Sequence, residues 1–542
     1  MQAGSSSYDF IIIGAGSAGC VLANRLSANG RHKVMVVEAG GSDRHPWVQM
    51  PIGYGKAFYN PGLNWMYTTE QDPGTNYRSS YWPRGKVLGG SSSINAMVYI
   101  RGHPDDYQGW AEDGNRGWGW QDVLPYFYKA ENNQQGGSRW HGDSGPLYVS
   151  SLGKNMHPLC RQFIHAGEQI GLTHNHDFNG PEQEGIGLYQ LTIQGGRRMS
   201  AARAYLHPAA KRPNLRILKK ALVQKIVFEG NRATGIEYLH KGKIKAAHAK
   251  AEVIVSAGAI NSPQLLMLSG IGDANRLQAL DINTVHHQPN VGQHLQDHLC
   301  IDFLYHSRVP TINNQLHPWW GKVWHGLRYA VTHGGPLSLS VNQGGGFVRT
   351  NNQVTKPNMQ LYFSPASYTK APPGVRPLMN PDPFPGFYIS ASPTRPTSVG
   401  HLDLSSSDPE ASPVIYPNYL STEHDIKEML EGYKFLRRLG TAPALREVID
   451  KELLPGLIVV NEEQMLADIR ERSGTVFHPV STCRMAPDPE RGVINPELEV
   501  FGVDGLRVVD ASAFPTLVSG NTNAPVIMLA EKAADIILKK NR

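Results

Sequence analysis

The chain has 542 residues, 40% hydrophobic and 18% charged, which suits a soluble globular protein of two or more domains and excludes wholesale disorder. Its 52 basic and 46 acidic side chains leave a net charge of +6 that is scattered rather than gathered in a run, so nucleic-acid binding is not expected; even Lys241–Lys250 is short and interrupted. Cys20, Cys160, Cys300 and Cys483 are far apart and form no CxxC pair, which argues against a disulfide scaffold or a structural zinc site and for a reducing compartment. No apolar stretch approaches the roughly 20 residues that span a bilayer, so no transmembrane segment is expected. The first apolar run, Phe10–Ile13, leads into a glycine loop rather than a signal-peptide cleavage site. A cytoplasmic protein is expected, with peripheral attachment to the inner membrane left open.

Tyr8–Ile13 reads as a buried strand, Ala18–Leu26 as a helix, and Lys33–Val37 as a second strand ending in Glu38. Val34–Val37 shows no alternation, as expected of a parallel strand covered on both faces. In the intervening GAGSAG, Gly14 permits the tight turn, Gly16 lets the backbone approach a pyrophosphate, and Gly19 lets helix and strand pack closely. The helix start around Ser17 and Ala18 offers free N–H groups and a positive dipole end to phosphate. Glu38, 19 residues after Gly19 and followed by Ala39, stands where a carboxylate accepts hydrogen bonds from a ribose. Three glycines alone describe many flexible turns. The full order of strand, helix, strand and acid marks a dinucleotide site.

Leu215–Leu218, Ala221–Phe228, Ala233–Tyr238 and Glu252–Ser256 read as further strands. From Ile301 to Asn461 the chain turns rich in Pro, Trp and Tyr, with turn signals at Pro372–Gly374 and Pro381–Gly386 and an amphipathic helix at Glu423–Arg438. The nucleotide-fold style returns with strand Leu506–Val509 and helix Pro525–Lys540. The expectation is a discontinuous nucleotide-binding domain (1–155, 200–300 and 475–542) interrupted by a substrate-facing domain (156–199 and 301–474). No second glycine fingerprint follows a strand, so NAD(P)H has no obvious site. Asp510–Ala511 also ends a C-terminal strand, where flavoproteins often place an acid. Both points favour FAD, although helix capping explains Asp510 equally well.

Longer matches identify a resemblance to the glucose–methanol–choline (GMC) oxidoreductases, especially their choline-dehydrogenase-like alcohol dehydrogenases. It rests on WPRGKVLGGSSSINAMVYIRG (Trp82–Gly102), GAINSPQLLMLSGIG (Gly258–Gly272), VGQHLQDH (Val291–His298), FHPVSTCRM (Phe477–Met485) and GNTNAPVIMLAEKAADII (Gly520–Ile537). The resemblance implies an α/β two-domain fold: a glutathione-reductase-type FAD domain and a substrate domain built on an antiparallel sheet. It implies that Val87, Gly89, Gly90, Asn95, Ala96 and Val98 line the flavin and that Val223 contacts the adenine. Asp510 and Ala511 would lie by the ribityl–pyrophosphate region, with Asn521 and Thr522 near the isoalloxazine. Some relatives attach FAD through a His just before the asparagine of the first signature; Ile94 stands there, so FAD is expected to be non-covalent.

Alcohol oxidation needs a base for the hydroxyl proton, a donor for the developing alkoxide and an acceptor for hydride, here the flavin N5. His478 matches the family's catalytic histidine, and imidazole titrates nearest working pH. Asn523 matches the second active-site position, with an N-cap as its other reading. Phe477 suits a pocket wall. The start of the Pro525 helix is expected to face the flavin. His294 with His298, and His174 with His176, have ligand-like spacing but no third ligand, so no metal is expected. Trp319, Trp320 and Trp324 suit a substrate channel or a small core, and Arg395 a structural charge. The expected reaction is oxidation of a primary aliphatic or aromatic alcohol, with oxygen or a quinone or other carrier as electron acceptor. Choline dehydrogenase proper, an FAD-containing lyase or decarboxylase, and a non-catalytic FAD-binding protein are the competing readings.

Overall fold

The computed structural model describes residues 6–368 and 380–541. The Pro372–Gly374 turn lies outside these residues. Two seven-stranded sheets organise the chain.

The first sheet runs Leu215–Lys219, Val34–Glu38, Ser6–Ile13, Lys243–Val255, Arg232–His240, Ala221–Glu229. Leu506–Val508 joins it in parallel beside Val253–Val255. Ile13 pairs with Val37 on one side and Val255 on the other, so the strands end at one level. The glycine loop, Glu38, Ser256 and Asp510 therefore follow strand ends along a single edge, the crevice where α/β sheets take their ligands. Val34–Glu38 is buried throughout. Lys243–Val255 is one long strand; its charged first half, which reads in sequence as scattered surface charge, pairs antiparallel with Arg232–His240 and is mostly exposed.

The helix after the glycine loop spans Ser17–Ser27 and packs on the C-terminal helix Asn523–Lys540. Gly14 adopts φ +97°, and a Cβ there would collide with the carbonyl of Ser256; one on Gly19 would collide with that of Gly14. Both glycines are steric necessities.

The second sheet is antiparallel: Ile449–Leu454, Leu299–Ser307, Gly386–Pro393, Met359–Ser364, Gly344–Val348, Gly185–Leu188, with Gly474–Thr475 beside Leu299. Glu423–Gly440 covers one face of it, where Tyr433 meets Phe303 edge-on at 4.8 Å. Helix cover on one side and the body of the protein on the other bury every residue of Gly386–Pro393. Alternation along the strands then sends Leu361, Phe363, Phe387 and Ile389 into the core and Tyr362, Ser364, Tyr388 and Ser390 into a cavity.

Trp319, Trp320 and Trp324 fill neither a core nor a channel. They lie on helix Trp319–Thr332, 76%, 60% and 62% exposed, and are absent from the cavity wall. Arg395 is structural, with its Nε donating to Asp106 Oδ1 at 2.9 Å.

Candidate active site

A cavity of about 400 Å³ runs from the edge of the first sheet to the face of the second. Gly14, Gly16, Ser17, Ala18, Glu38, Ala39 and Val223 line one end. Gly90, Asn95, Ala96 and Val98 line the middle with Asp510, Ala511, Asn521, Thr522 and Asn523. Gly19, Val87 and Gly89 stand behind this lining, where Gly19 sets the helix approach and Val87 bridges to Gly41.

The lining chemistry fits FAD. Bare backbone and a helix start border the cavity, where they would meet a pyrophosphate. Glu38, the candidate ribose acceptor, borders the cavity with its Oε2 accepting from Ala15 N at 2.8 Å and its Oε1 from Gly40 N at 2.7 Å. Burial pushes this carboxyl up to about 7 against those two N–H groups. Asp510 is the N-cap of the short helix Ala511–Ala513. Its oxygens accept from Gly258 N, Ser262 Oγ, Ser512 N and Ser512 Oγ at 2.6–2.8 Å, so the capping reading holds at a residue that also borders the cavity. The C-terminal helix begins at Asn523, with Thr522 as N-cap, and its positive end opens on the cavity.

At the far end, His478 Nε2 lies 3.1 Å from Nδ2 of Asn521. The amide beside the imidazole is thus Asn521, not Asn523 as the resemblance implies. Asn523 also borders the cavity, but its Oδ1 accepts from Ser17 Oγ at 2.8 Å, tying the C-terminal helix to the glycine loop. Asn521 is held in turn: Gln360 Nε2 donates to its Oδ1 at 3.2 Å, leaving the NH₂ turned to His478. Tyr362 fixes Gln360 by donating its hydroxyl to Oε1 at 2.8 Å.

His298 is the residue that sequence reading missed, having weighed it only as a metal ligand. Its Nε2 lies 3.0 Å from the carbonyl of Thr394, and its Nδ1 lies 3.0 Å from His478 Nδ1. A carbonyl only accepts, so His298 carries its proton on Nε2 and offers a lone pair at Nδ1. His478 must then donate from Nδ1, which leaves its Nε2 bare toward Asn521 and the cavity. Burial, the second imidazole and the nearby Arg84 guanidinium push His478 well below the usual histidine range, and burial brings His298 down to about 4. Both rings are neutral, so the lone pair at His478 Nε2 stays available.

The preceding residue, Phe477, lines the cavity with its ring edge-on to Phe58 at 5.4 Å. Its φ of +69° is strained for a phenylalanine. Arg84 Nη2 donates to its carbonyl at 2.7 Å, and the next N–H, of His478, donates to Asp297 Oδ1 at 2.7 Å. Tyr419 and Thr475 hydroxyls, each at 2.5 Å, hold Asp297 Oδ2. His294 bonds Asn290 Oδ1 at 3.2 Å, and the His174 and His176 rings lie 4.1 Å apart.

Four histidines with lowered pKa values, two of them buried and two partly exposed, carry a pH prediction. Burial lowers His157, His294 and His298 to about 4 and, with the second imidazole and Arg84, holds His478 well below the usual histidine range, whereas the unfolded chain protonates its histidines near about 6.5. Above that pH neither state gains protons at these sites. Below it only the unfolded chain does, so stability falls, by at most about 1.4 kcal/mol per pH unit for each of the fully buried His298 and His478 and by less for the partly exposed His157 and His294. Scanning calorimetry is expected to show Tm dropping steeply from pH 6.5 to 4.5, with a shallower slope for His298→Gln.

A dinucleotide crevice joined to a buried neutral imidazole and an amide defines a flavoprotein oxidoreductase. The chain belongs to the GMC oxidoreductase family: models described as GMC oxidoreductase match residues 8–300 and 396–530. It is 44% identical to the alcohol dehydrogenase [acceptor] of Pseudomonas putida over 98% of this chain and 96% of that one. It is 43% identical to the mitochondrial choline dehydrogenase of Mus musculus over 98% and 90%. Among solved structures it resembles pyridoxine 4-oxidase from Mesorbium loti, with 32% identity, TM-score 0.87, and 97% and 98% of the two chains covered. The protein is an FAD-dependent oxidoreductase acting on CH–OH donors, and the resemblance read from its sequence motifs is that family.

Proposed function

We propose that the protein oxidises an uncharged primary alcohol, aliphatic or aromatic, to the aldehyde, using His478 as base and Asn521 as the oxygen-orienting donor. The juxtaposition of His478 Nε2 and Asn521 Nδ2 at 3.1 Å on the cavity wall supports this reading. A hydroxyl placed there donates its proton to Nε2 while its oxygen accepts from the Asn521 amide. Bound FAD supplies the hydride acceptor. His298 keeps Nε2 of His478 unprotonated, and Gln360 keeps the amide facing it. Enclosure by Phe58, Tyr362 and Phe477 excludes water from the reacting oxygen.

The walls of this end favour an uncharged substrate. Tyr54, Phe58, Ile94, Cys300, Tyr362 and Phe477 contribute rings, methyls and a thiol. Asp302, the carboxylate on the sheet wall, already has a partner. A trimethylammonium group needs an available anion or a closed aromatic cage. FAD is held without a covalent bond, since Ile94 occupies the attachment position of the relatives that form one. Electrons leave to oxygen or to a quinone or other carrier.

Anaerobic titration of the holoenzyme with hexanol, benzyl alcohol and choline tests the reading. The first two are expected to bleach the flavin, and bleaching by choline alone, or by none of the three, overturns it. Oxygen and an artificial dye, added in separate arms, identify the acceptor class. Acid precipitation of the same sample is expected to leave the yellow colour in solution.

A further inference from the structure

Helix Trp319–Thr332 is amphipathic in the inverted sense. Gly321 and Tyr329 face the protein, where the Tyr329 hydroxyl donates to the carbonyl of Gly196 at 3.0 Å. Trp319, Trp320, Val323, Trp324, Leu327 and Val331 face outward, each more than half exposed. At 3.6 residues per turn these six fall within an arc of about 140°. Surface helices ordinarily turn such a stripe inward.

The charges beside the stripe are of one sign. Lys322 and Arg328 flank it on either side, both exposed and neither in an ion pair among the described residues. Arg197 sits at the helix's C-terminal end, its Nη2 2.7 Å from His333 Nε2. Between Asp302 and Asp382 the sequence contains no Asp or Glu at all. The helix also packs on Ile312–Leu316 and on the turn Pro336–Ser338. Ile312, Leu316 and Leu337 belong to the apolar cluster that includes Tyr362 and Phe477 of the active-site wall.

We infer that this helix is an interfacial docking element that lies on the surface of an anionic phospholipid bilayer. Trp side chains are the residues that settle at the membrane–water boundary. Flanking cations, with acids excluded from the surrounding sequence, match a negative headgroup layer. The helix does not cross the membrane: no described helix is long and apolar enough to do so. Its mounting on the apolar cluster sets the substrate end of the cavity close to the lipid, where uncharged alcohols partition. The inference stands apart from the alcohol reading, because binding and turnover are measured separately.

The test is cosedimentation of the full-length holoenzyme with vesicles of phosphatidylcholine plus phosphatidylglycerol and with vesicles of phosphatidylcholine alone. Wild type is expected to pellet with the anionic vesicles, with a blue shift of tryptophan emission, and much less with the zwitterionic ones. The combined Trp319→Ser, Trp320→Ser, Trp324→Ser variant is expected to remain in the supernatant while oxidising a water-soluble alcohol at the wild-type rate. Lys322→Glu with Arg328→Glu keeps the apolar face and is expected to lose the preference for anionic lipid. Wild type left in the supernatant with both vesicles overturns the inference, as does equal pelleting of wild type and the tryptophan variant. A wild-type dimer in solution that this variant converts to monomer, without vesicle binding, identifies a second copy as the occupant and overturns it too.

Discussion

Replacing His478 with Asn is expected to slow anaerobic flavin reduction by an alcohol by about 10²–10⁴-fold, the range for loss of a positioned proton acceptor. The protein is expected to purify with its FAD bound. The backbone N–H of His478 and the carbonyl of Phe477, which hold the strained loop to Asp297 and Arg84, do not depend on the imidazole. The variant therefore separates chemistry from folding. Stopped-flow bleaching under saturating alcohol reads the chemical step directly, and a rate within a few-fold of wild type would remove His478 from the reaction. His298→Gln is a milder probe of the same atom. It releases the constraint that puts the His478 proton on Nδ1, and is expected to lower the maximal rate more than it alters KM.

Asn521→Ala is expected to cost about 10²–10³-fold in kcat, on the order of 3–4 kcal/mol, as for loss of one oriented donor to a developing oxyanion. Asn523→Ala is the informative control. Its amide bonds Ser17 rather than His478, so it is expected to weaken FAD retention and leave the bleaching rate of the FAD-bound fraction nearly unchanged. Comparing the two by stopped flow, with bound flavin quantified beforehand, decides which amide serves the alcohol. A large rate loss in Asn523→Ala beside a small one in Asn521→Ala would reverse the assignment.

Much of the cofactor end is legible in the primary sequence because it is local. A strand, a glycine loop, a helix and an acid at fixed spacing make the phosphate and ribose positions within a few dozen residues, and Gly14 and Gly19 cannot be anything larger. The reaction end is built from non-local pieces. His478, Asn521, His298 and Gln360 come from four separate segments, and no spacing among them announces the contact.

The ambiguity between Asn521 and Asn523 is also physical. Asn523 is the first residue of the C-terminal helix and Asn521 lies in the loop before its N-cap Thr522, so one amide meets the imidazole and the other meets Ser17. Only the docking of the C-terminal helix decides which does which. The tryptophans show the converse case: composition reads them as core or channel material, and nothing in their spacing tells the inner face of a helix from the outer. What the amino-acid sequence determined by itself was the nucleotide fold, because short-range geometry and a demanding backbone leave few alternatives there, while the longer family motifs pointed to FAD and singled out His478 as the candidate base. Tertiary structure decided the amide partner, the tautomer of His478, the sheet wall and the exposed apolar helix. Each of these depends on which side chains from distant segments share a face, and that is settled only when the two sheets and their helices pack.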